Sequence, residues 1–432
     1  MLIKYFFKGR PSLGLFLFFF NIIFSNSFNS INISSIEIEG NSKTQDYIIN
    51  REIRHLINTK LDSSIINEDI MRLENLGIFS GVSWSVESIN DGNFLLIYKI
   101  TESIQKTPPV AFPYYDEDTG WSAQGLWLVN NFRGRNQTIS VIGTLGNKNT
   151  YGINFSDPWI FGDHISLNLN LQETTYIHRY LNEDISLSSF RVGLGKWFGY
   201  NIKTLSEFEV ITKKFSNLDT EYLQEFNYLV PNFNFKYDTR DIYWNPTKGL
   251  LVKQNFNFKK GIIFKNSDFL FWRQSYSSFF TLKAFKKKFV LGLNSTINRK
   301  FGDKNEYWIH YLGGPSTTRG WSLPDSNIYK SKKFRFGHES FHTSIELRYD
   351  IIPKYITTIG IESGLTIVFF IDRGLINHNW KMLENTTPMY GSGLGIRIPF
   401  PMIGVIRIDY GWGYRDESWN SGVLHLSFGQ KF

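Results

Sequence analysis

The segment "VIRIDYGW" (Val405–Trp412) alternates apolar or aromatic residues with charged residues and glycine. Successive side chains of a β-strand point to opposite faces, so the two sets would occupy opposite faces of one strand. The same alternation is found along the chain after Glu102, in "HISLNLNLQ" (164–172), "LVKQNFNF" (251–258) and "SIELRYDI" (344–351). One face of each strand is therefore apolar, and the other carries charges, amides and hydroxyls.

These strands are too long and too aromatic for an ordinary soluble sandwich. They run for about ten residues or more, and aromatic residues collect near their ends, as in the girdles of a membrane barrel. The sequence predicts an all-β transmembrane β-barrel whose apolar side chains face lipid. At about 20 residues per tilted strand and turn, Thr119–Phe432 accommodates about 16 antiparallel strands. A soluble sandwich with outward polar faces is the alternative.

Composition excludes several classes of function. The 432 residues include no cysteine, which rules out disulfides and cysteine metal sites. The net charge of +8 is scattered, without a basic helix or an arginine cluster, so we expect no nucleic-acid partner. No Walker sequence is present, and we expect no cofactor.

The N-terminus has the pattern of a secretory signal peptide. Lys4, Lys8 and Arg10 precede an apolar run, Leu13–Phe24, and small residues follow it. We assign residues 1–27 to a signal peptide, because the run is shorter than the roughly 20 residues of a membrane-spanning helix. An N-terminal membrane anchor is the alternative.

Residues 31–102 combine strand and helix patterns in the order β-α-α-β-β. Thr44 is the predicted N-cap of the first helix, and Gly77 the predicted C-cap of the second. Asp91-Gly92 predicts a hairpin turn between the last two strands. The segments are "ISSIEIEG" (33–40), "TQDYIINREIRHLI" (44–57), "NEDIMRLENLG" (67–77), "GVSWSVES" (81–88) and "FLLIYKIT" (94–101).

Several motifs together resemble one family, the outer-membrane protein-assembly and polypeptide-secretion barrels, also called BamA-like or bacterial surface antigen proteins. The motifs are "YDTRDIYWNPTKGL" (237–250), "GGPSTTRGW" (313–321), "FIDRG" (370–374) and "LHLSFGQKF" (424–432). The resemblance implies that residues 31–102 form a periplasmic POTRA domain and that residues 103–432 form the outer-membrane barrel. One POTRA domain is recognisable, whereas known assembly factors of this family carry several.

The most specific motif lies in a long segment without a strand or helix pattern. It resembles the Val-Arg-Gly-aromatic tip of the family's sixth extracellular loop, which implies that the tip lies inside the barrel lumen. In this chain the loop-tip motif consists of Thr318, Arg319, Gly320 and Trp321.

A guanidinium inside a narrow lumen needs acceptors, and carboxylates suit it best. Phe370, Asp372 and Gly374 share one strand face in "FIDRG", and Glu346 faces inward in "SIELRYDI". We therefore expect Arg319 to pair with Asp372, with Glu346 as a second acceptor. The alternative is an exposed loop arginine without a partner.

The first and last barrel strands must meet at a seam. The first strand contains Pro108, Pro109 and Pro113, which cannot donate a backbone hydrogen bond, and the last contains Gly429 and ends at Phe432. We expect this lateral seam to pair weakly and to open sideways. The alternative is that the prolines end a linker and that pairing starts later.

These features predict an insertase or translocase that accepts polypeptide clients through the POTRA domain and the lateral seam. The alternative is a passive outer-membrane pore or a structural barrel without client insertion. Expected partners are outer-membrane lipid and unfolded or partly folded clients, with accessory periplasmic proteins as further candidates. The expected location is the outer membrane of a Gram-negative-type bacterium, with the POTRA domain in the periplasm.

We expect neither an enzyme nor a metal site. "HESFH" (His338–His342) has zinc-protease spacing, but it enters a strand pattern, whereas that motif requires a helix. Serine and histidine are both present, but no spacing singles out a catalytic pair.

Overall fold

The structure is a computed structural model. It describes residues 31–90, 93–106, 110–116, 120–161, 164–217, 222–262, 268–284, 286–357, 362–400 and 404–432. The predicted signal peptide, the Asp91-Gly92 turn, Pro108 and Pro109 lie outside these ranges. The chain divides into two compact units, the first ending at Glu102 and the second beginning at Ser103. In the described ranges, no helix has the length and apolar character needed to cross a membrane.

The first unit is a four-stranded sheet with two helices. Its sheet order is β2-β1-β4-β3, with β1 parallel to β4 and the other pairs antiparallel. The elements are β1 (Asn32–Glu39), α1 (Asp46–Asn50), β2 (Thr59–Lys60), α2 (Ser63–Asn75), β3 (Phe79–Asn90) and β4 (Asn93–Glu102). This is the predicted α+β POTRA fold with one additional short strand, β2.

A buried carboxylate joins α2 to the sheet and to the preceding loop. Asp69 is fully buried and accepts hydrogen bonds from the backbone N–H groups of Arg54 (2.9 Å) and His55 (3.2 Å). It also accepts one from the Tyr98 hydroxyl (2.8 Å) on β4 and pairs with Arg72. Burial of Tyr98 raises the pKa of its hydroxyl, although nearby Arg72 acts in the opposite direction.

The first helix is shorter than the sequence pattern predicts. It begins after Gln45, not Thr44, because the Thr44 hydroxyl and N–H both donate to Glu102 (2.6 and 2.7 Å) and are not free to cap it. It ends at Asn50, and Leu56 is exposed rather than core. Gly77 follows α2 with φ +73°, the left-handed conformation expected after a helix.

The second unit is a closed barrel, and the predicted fold class is confirmed. Its described strands form an antiparallel sheet of sixteen strands in chain order. They are β5 (Val110–Asp116), β6 (Gly120–Phe132), β7 (Gln137–Gly146), β8 (Lys148–Phe161), β9 (Ile165–Ile177), β10 (Asp184–Phe198), β11 (Ile202–Asn217), β12 (Tyr222–Asp238), β13 (Gly249–Gly261), β14 (Phe269–Ala284), β15 (Lys287–Gly302), β18 (Glu339–Ile356), β19 (Glu362–Asn377), β20 (Met389–Phe400), β21 (Gly404–Arg415) and β23 (Val423–Phe428).

The long connection between β15 and β18 has its own short elements. They are the hairpin partners β16 (His310–Tyr311) and β17 (Phe336–Gly337), and the helix α3 (Ser326–Ser331). A further two-residue strand, β22 (Ser418–Trp419), extends the end of β21. We call residues 303–338 the long loop, because it contains the predicted loop-tip motif.

The two faces of the barrel wall differ as the alternation predicts. Outward apolar side chains such as Phe208, Leu194 and Ile345 are 62%, 53% and 45% exposed. Inward Glu346, next to Ile345 in the chain, is fully buried. An apolar outer surface around a polar interior is the arrangement of a barrel that faces lipid.

An aromatic cluster joins the long loop to the inner barrel wall. Trp308 of the loop packs against Phe226, Tyr228 and Phe269, with ring centroids 6.2, 5.9 and 5.6 Å away. These three rings belong to β12 and β14 and are themselves buried. The loop therefore passes inside the barrel and packs against its wall.

Candidate functional site

The loop tip is a compact turn held by its own backbone and side chains. The Gly314 N–H donates to the carbonyl of Trp321 (2.7 Å), and the Thr317 hydroxyl donates to the carbonyl of Gly313 (2.7 Å). The indole of Trp321 donates to the carbonyl of Tyr390 on β20 (2.7 Å). The tip is thus tied both to itself and to the barrel wall.

Arg319 at this tip is fully buried among carboxylates of the inner wall. Its Nε and Nη2 donate to the two oxygens of Asp372 at 2.8 and 2.9 Å, which is a bidentate pair. Its Nη1 donates to Glu346 at 2.7 Å and to Asp409 at 3.3 Å. The guanidinium lies over the ring of Phe370, 3.7 Å from the centroid. Both acceptors named from the sequence, Asp372 and Glu346, therefore contact Arg319.

Glycines allow the tip to approach the wall this closely. Gly320 has φ +83°, and a Cβ there would lie 2.5 Å from a backbone carbon of Trp412. A Cβ at Gly391 would lie 1.7 Å from the carbonyl oxygen of Arg319, and one at Gly374 would lie 2.5 Å from the hydroxyl of Thr318, which is fully buried. The backbones of the loop tip and of the barrel wall therefore approach each other too closely for a side chain at these glycines.

The ion network extends beyond the residues that sequence analysis identified. Arg348 donates two hydrogen bonds to Glu346 (2.9 and 2.7 Å), and Arg397 donates to Asp409 (2.7 Å). Lys431 donates to Asp372 (2.7 Å). The signal that could have found the strand residues is the alternation itself, because Arg348, Arg397 and Asp409 all fall on polar faces. Nothing in the sequence indicated that Lys431 turns inward.

Models of two known protein families match this sequence, one over most of the barrel and one over the first unit. A family model described as "Omp85 superfamily domain" matches residues 131–432, and a POTRA model, "Surface antigen variable number repeat", matches residues 31–103. The chain belongs to the Omp85 superfamily. The resemblance inferred from the motifs is therefore confirmed.

One curated relative of this Omp85 chain is an outer-membrane assembly factor. The outer membrane protein assembly factor BamA of Nitratidesulfovibrio vulgaris is 23% identical over 425 residues, which cover 93% of this chain and 51% of the relative. The chain thus spans about half the length of that curated relative.

Two solved barrels share the fold of this Omp85 chain. BamA from Haemophilus ducreyi lacking POTRA domains 1–3 matches with a TM-score of 0.55 at 16% identity, covering 92% of this chain and 83% of that one. CdiB from Escherichia coli matches with a TM-score of 0.55 at 13% identity, covering 93% and 76%. At these identities the likeness shows the fold alone.

The seam of this Omp85 barrel is formed by its two shortest described strands. In the sheet order, β5 lies beside β23 and closes the barrel. β23 has six residues, whereas the adjoining strand β21 has twelve. β5 is described over the seven residues Val110–Asp116, and residues 107–109 and 117–119 lie outside the described ranges. Pro113 lies within β5, opposite Ala123 of β6. The pairing between β5 and β6 therefore includes Pro113. Pro108 and Pro109 lie outside the described residues.

Gly429 directly follows β23, and its N–H donates to the carbonyl of Val405 on β21 (2.7 Å), whereas Phe432 lies away from the predicted seam. β23 ends at Phe428, and Gly429, with φ +77°, turns the chain inward. Phe432 then lies inside the barrel, where its ring stacks near Phe279 at 5.9 Å. The strand pattern of "LHLSFGQKF" stops early because the lumen offers Lys431 a carboxylate and Phe432 an aromatic partner.

The loop tip of this Omp85 chain also contacts the closing strand. The Gly320 N–H donates to Nε2 of His425 on β23 (3.0 Å). Lys431, three residues beyond β23, donates to the carbonyl of Thr317 (2.6 Å) as well as to Asp372. The loop tip and the closing strand are therefore joined by hydrogen bonds and a shared carboxylate.

The "HESFH" segment belongs to the barrel wall. Strand β18 begins at Glu339, whose carboxylate lies near Arg299 (3.4 Å) and Lys304 (3.5 Å). Within the described ranges, no group of three potential ligands is placed to hold a metal ion.

Proposed function

We propose that this protein is an outer-membrane insertase or translocase that admits polypeptide clients through the seam between β5 and β23. The observation that carries the proposal is the seam itself, where β5, with Pro113 inside it, meets the six-residue strand β23. Each unpaired backbone group in lipid costs several kcal/mol, so a short seam is the place where a barrel opens at the lowest cost. A client strand would pair with the exposed edge and remove that cost.

The POTRA sheet supports the same proposal. β3 has twelve residues and occupies one edge of the sheet, where its outer side has no strand neighbour within the described residues. An extended client can add to such an edge through main-chain hydrogen bonds, largely independently of its sequence. This mode of binding suits unfolded or partly folded polypeptides.

The segments that occupy the barrel lumen argue against the alternative of a passive pore. Trp308 of the long loop, the loop tip and the chain end at Phe432 lie inside the barrel and contact its wall. A passive pore requires an open aqueous path, which these segments narrow. A client entering sideways at the seam does not require such a path.

Depletion in the native bacterium tests the proposal. We expect specific outer-membrane or secreted proteins to disappear from the corresponding fractions, measured by quantitative proteomics, and to return when the wild-type chain is expressed. Unchanged proteomes together with reduced uptake of small solutes would support the passive pore instead.

A further inference from the structure

A second candidate site lies in the lumen beside the carboxylate network, with which it shares Lys431. A cavity of about 490 Å³ is lined by β12, β13, β14, β15, β18 and the inward tail. Its polar lining consists of amides, hydroxyls, one imidazole and cations, and no carboxylate belongs to the described residues that line it. The charged and ionisable members are Lys236, Lys253, Arg273, His342 and Lys431.

The strand register places like charges directly opposite each other. Lys203, Lys236 and Lys253 are direct partners along one row of β11, β12 and β13. Directly opposed like charges destabilise a sheet. Lys203 and Lys236 have compensating contacts, with the Tyr243 hydroxyl (3.3 Å) and the Asp238 carboxylate (2.9 Å).

Lys253 and Arg273 differ from these two lysines. Both are exposed toward the cavity, and within the described ranges neither has a carboxylate at ion-pair distance. Arg273 stands opposite Asn255 on β13 and Asn298 on β15, two neutral side chains. A cavity that presents two such cations together with amide and hydroxyl groups is suited to an anionic ligand.

Two carboxylates on the neighbouring strands β11 and β12 are already engaged. Glu207 accepts hydrogen bonds from the amides of Asn232 (2.7 Å) and Asn234 (3.0 Å). Asp238 pairs with Arg240 at 2.8 Å, in addition to Lys236. The positive charge of Lys253 and Arg273 therefore remains available to a ligand.

We infer that this cavity binds an oxyanion of the phosphate class, held by Arg273 and Lys253. A guanidinium matches two phosphate oxygens at once, and an ammonium adds a point charge. The volume falls in the range of small-molecule pockets, which run from about 300 to 1,000 Å³. Because the loop tip and the inward tail lie beside the cavity, a compact anion fits it better than a translocating acidic polypeptide.

This inference does not depend on the proposed insertion of clients. It is tested by measuring the binding of phosphate compounds to the protein. The full chain, folded in detergent, is titrated calorimetrically with inorganic phosphate, pyrophosphate and glycerol 3-phosphate, the last standing for a lipid headgroup. We expect saturable binding of pyrophosphate by the wild type and at least a tenfold loss in the double variant Lys253→Gln/Arg273→Gln. Stronger binding of glycerol 3-phosphate than of the free anions would identify a lipid headgroup as the source of the phosphate.

A matched control removes two opposed lysines elsewhere. Lys283 and Lys288 are direct partners at an exposed strand end, so Lys283→Gln/Lys288→Gln removes the same charge without touching the cavity. This control should bind pyrophosphate like the wild type. No binding by the wild type, or equal binding by all three proteins, would overturn the inference.

A second measurement needs no variant. Acetylation of Lys253 by acetic anhydride, followed by mass spectrometry, should slow at least threefold when pyrophosphate is present, while Lys288 in the same molecules is unaffected. Equal labelling of Lys253 with and without pyrophosphate would contradict the inference. Protection by a glutamate-rich peptide, but not by pyrophosphate, would also refute the phosphate site and indicate a polypeptide ligand.

Discussion

Arg319 is one of five cations that surround three buried carboxylates. Arg348, Arg397, Arg407 and Lys431 also contact Glu346, Asp372 or Asp409. Buried ion pairs contribute little net stability compared with apolar packing, but loss of one partner is costly. With an excess of cations, the wall stays neutralised without Arg319. The role that remains for Arg319 is to position the loop tip.

Arg319→Ala should therefore leave a folded barrel with an undocked loop tip. We expect loop docking to lose about 3 kcal/mol, toward the lower end of the cost of breaking a buried pair, because Arg397 and Lys431 remain beside the carboxylates. Trypsin should then cleave the long loop after Arg335, which is buried when the tip is docked, at least tenfold faster than in the wild type. Heat-modifiable mobility on a denaturing gel should be retained.

The control for this substitution is Lys214→Ala. Lys214 lies in β11 and pairs with Glu225 of β12 at 3.4 Å, and the two side chains are 47% and 38% exposed. An exposed pair contributes at most about 1 kcal/mol, so loop cleavage should not change. Wild-type protease resistance in Arg319→Ala would show that the buried pair does not hold the loop.

Gly391→Ala displaces the loop tip but leaves every charged side chain of the network in place. The added methyl would meet the carbonyl oxygen of Arg319 at 1.7 Å, so the loop tip must move. We expect the same protease sensitivity as in Arg319→Ala. Gly143→Ala on β7 is the matched control, because its methyl would meet nothing within 4 Å. A fully resistant loop in a folded Gly391→Ala barrel would contradict the close approach.

Glu102 predicts a pH dependence of the POTRA unit. Burial acts to raise the pKa of its carboxyl, but hydrogen bonds from Thr44, Lys43 and Ser42 outweigh burial, and the net pKa is lowered. A lowered folded-state pKa stabilises the fold above the unfolded pKa, near 4.3, and this stability is lost as pH falls through the folded value. Glu102→Gln should cost about 1 kcal/mol at pH 7, and much less at pH 3.

Residues 31–102 form a unit with its own core, so a fragment of these residues suits urea unfolding at both pH values. Glu87→Gln, on the exposed part of β3, is the control and should match the wild type at each pH. An equal destabilisation by Glu102→Gln at pH 7 and pH 3 would exclude a role for the ionised carboxylate.

At the scale of elements, the closing strand and the loop tip act as one unit. His425 on β23 accepts from Gly320, and Lys431 shares Asp372 with Arg319. A seam that opens by moving β23 must strain or break these contacts. The loop tip therefore stabilises the closed state of the proposed seam.

Cysteine crosslinking measures whether the seam must open. The chain has no native cysteine, so single cysteines placed along Val110–Tyr115 and Leu424–Phe428 can be paired cleanly in membranes. We expect that a crosslinked seam abolishes the proposed assembly or export activity and that reductant restores it. A crosslink between β6 and β7, for example Leu128→Cys with Ser140→Cys, joins strands that already pair and should leave activity intact. Full activity in a quantitatively crosslinked seam would refute lateral entry.

At the scale of the whole molecule, the sequence predicts what periodicity and local motifs control. Alternation identified the barrel and the inward face of Glu346, and family motifs linked Arg319 to Asp372. Contacts that depend on closure were not predictable, because Arg319 reaches Asp409, and Lys431 reaches Asp372, only when the barrel encloses the loop tip and the end of the chain. The predicted helix through Leu56 ended early because the N–H groups of Arg54 and His55 donate to Asp69 of α2, a contact between elements that the local pattern does not show.

The order of the network along the chain has a consequence for folding. Arg319, Glu346, Asp372, Asp409 and Lys431 follow all strands from β5 to β15. Contacts between neighbouring strands are local and form early, whereas contacts distant along the chain form late. A chain whose last strand has not yet paired would thus keep an undocked, cleavable loop. Docking of the loop would mark barrels that are complete, and proteases of the envelope could remove those that are not.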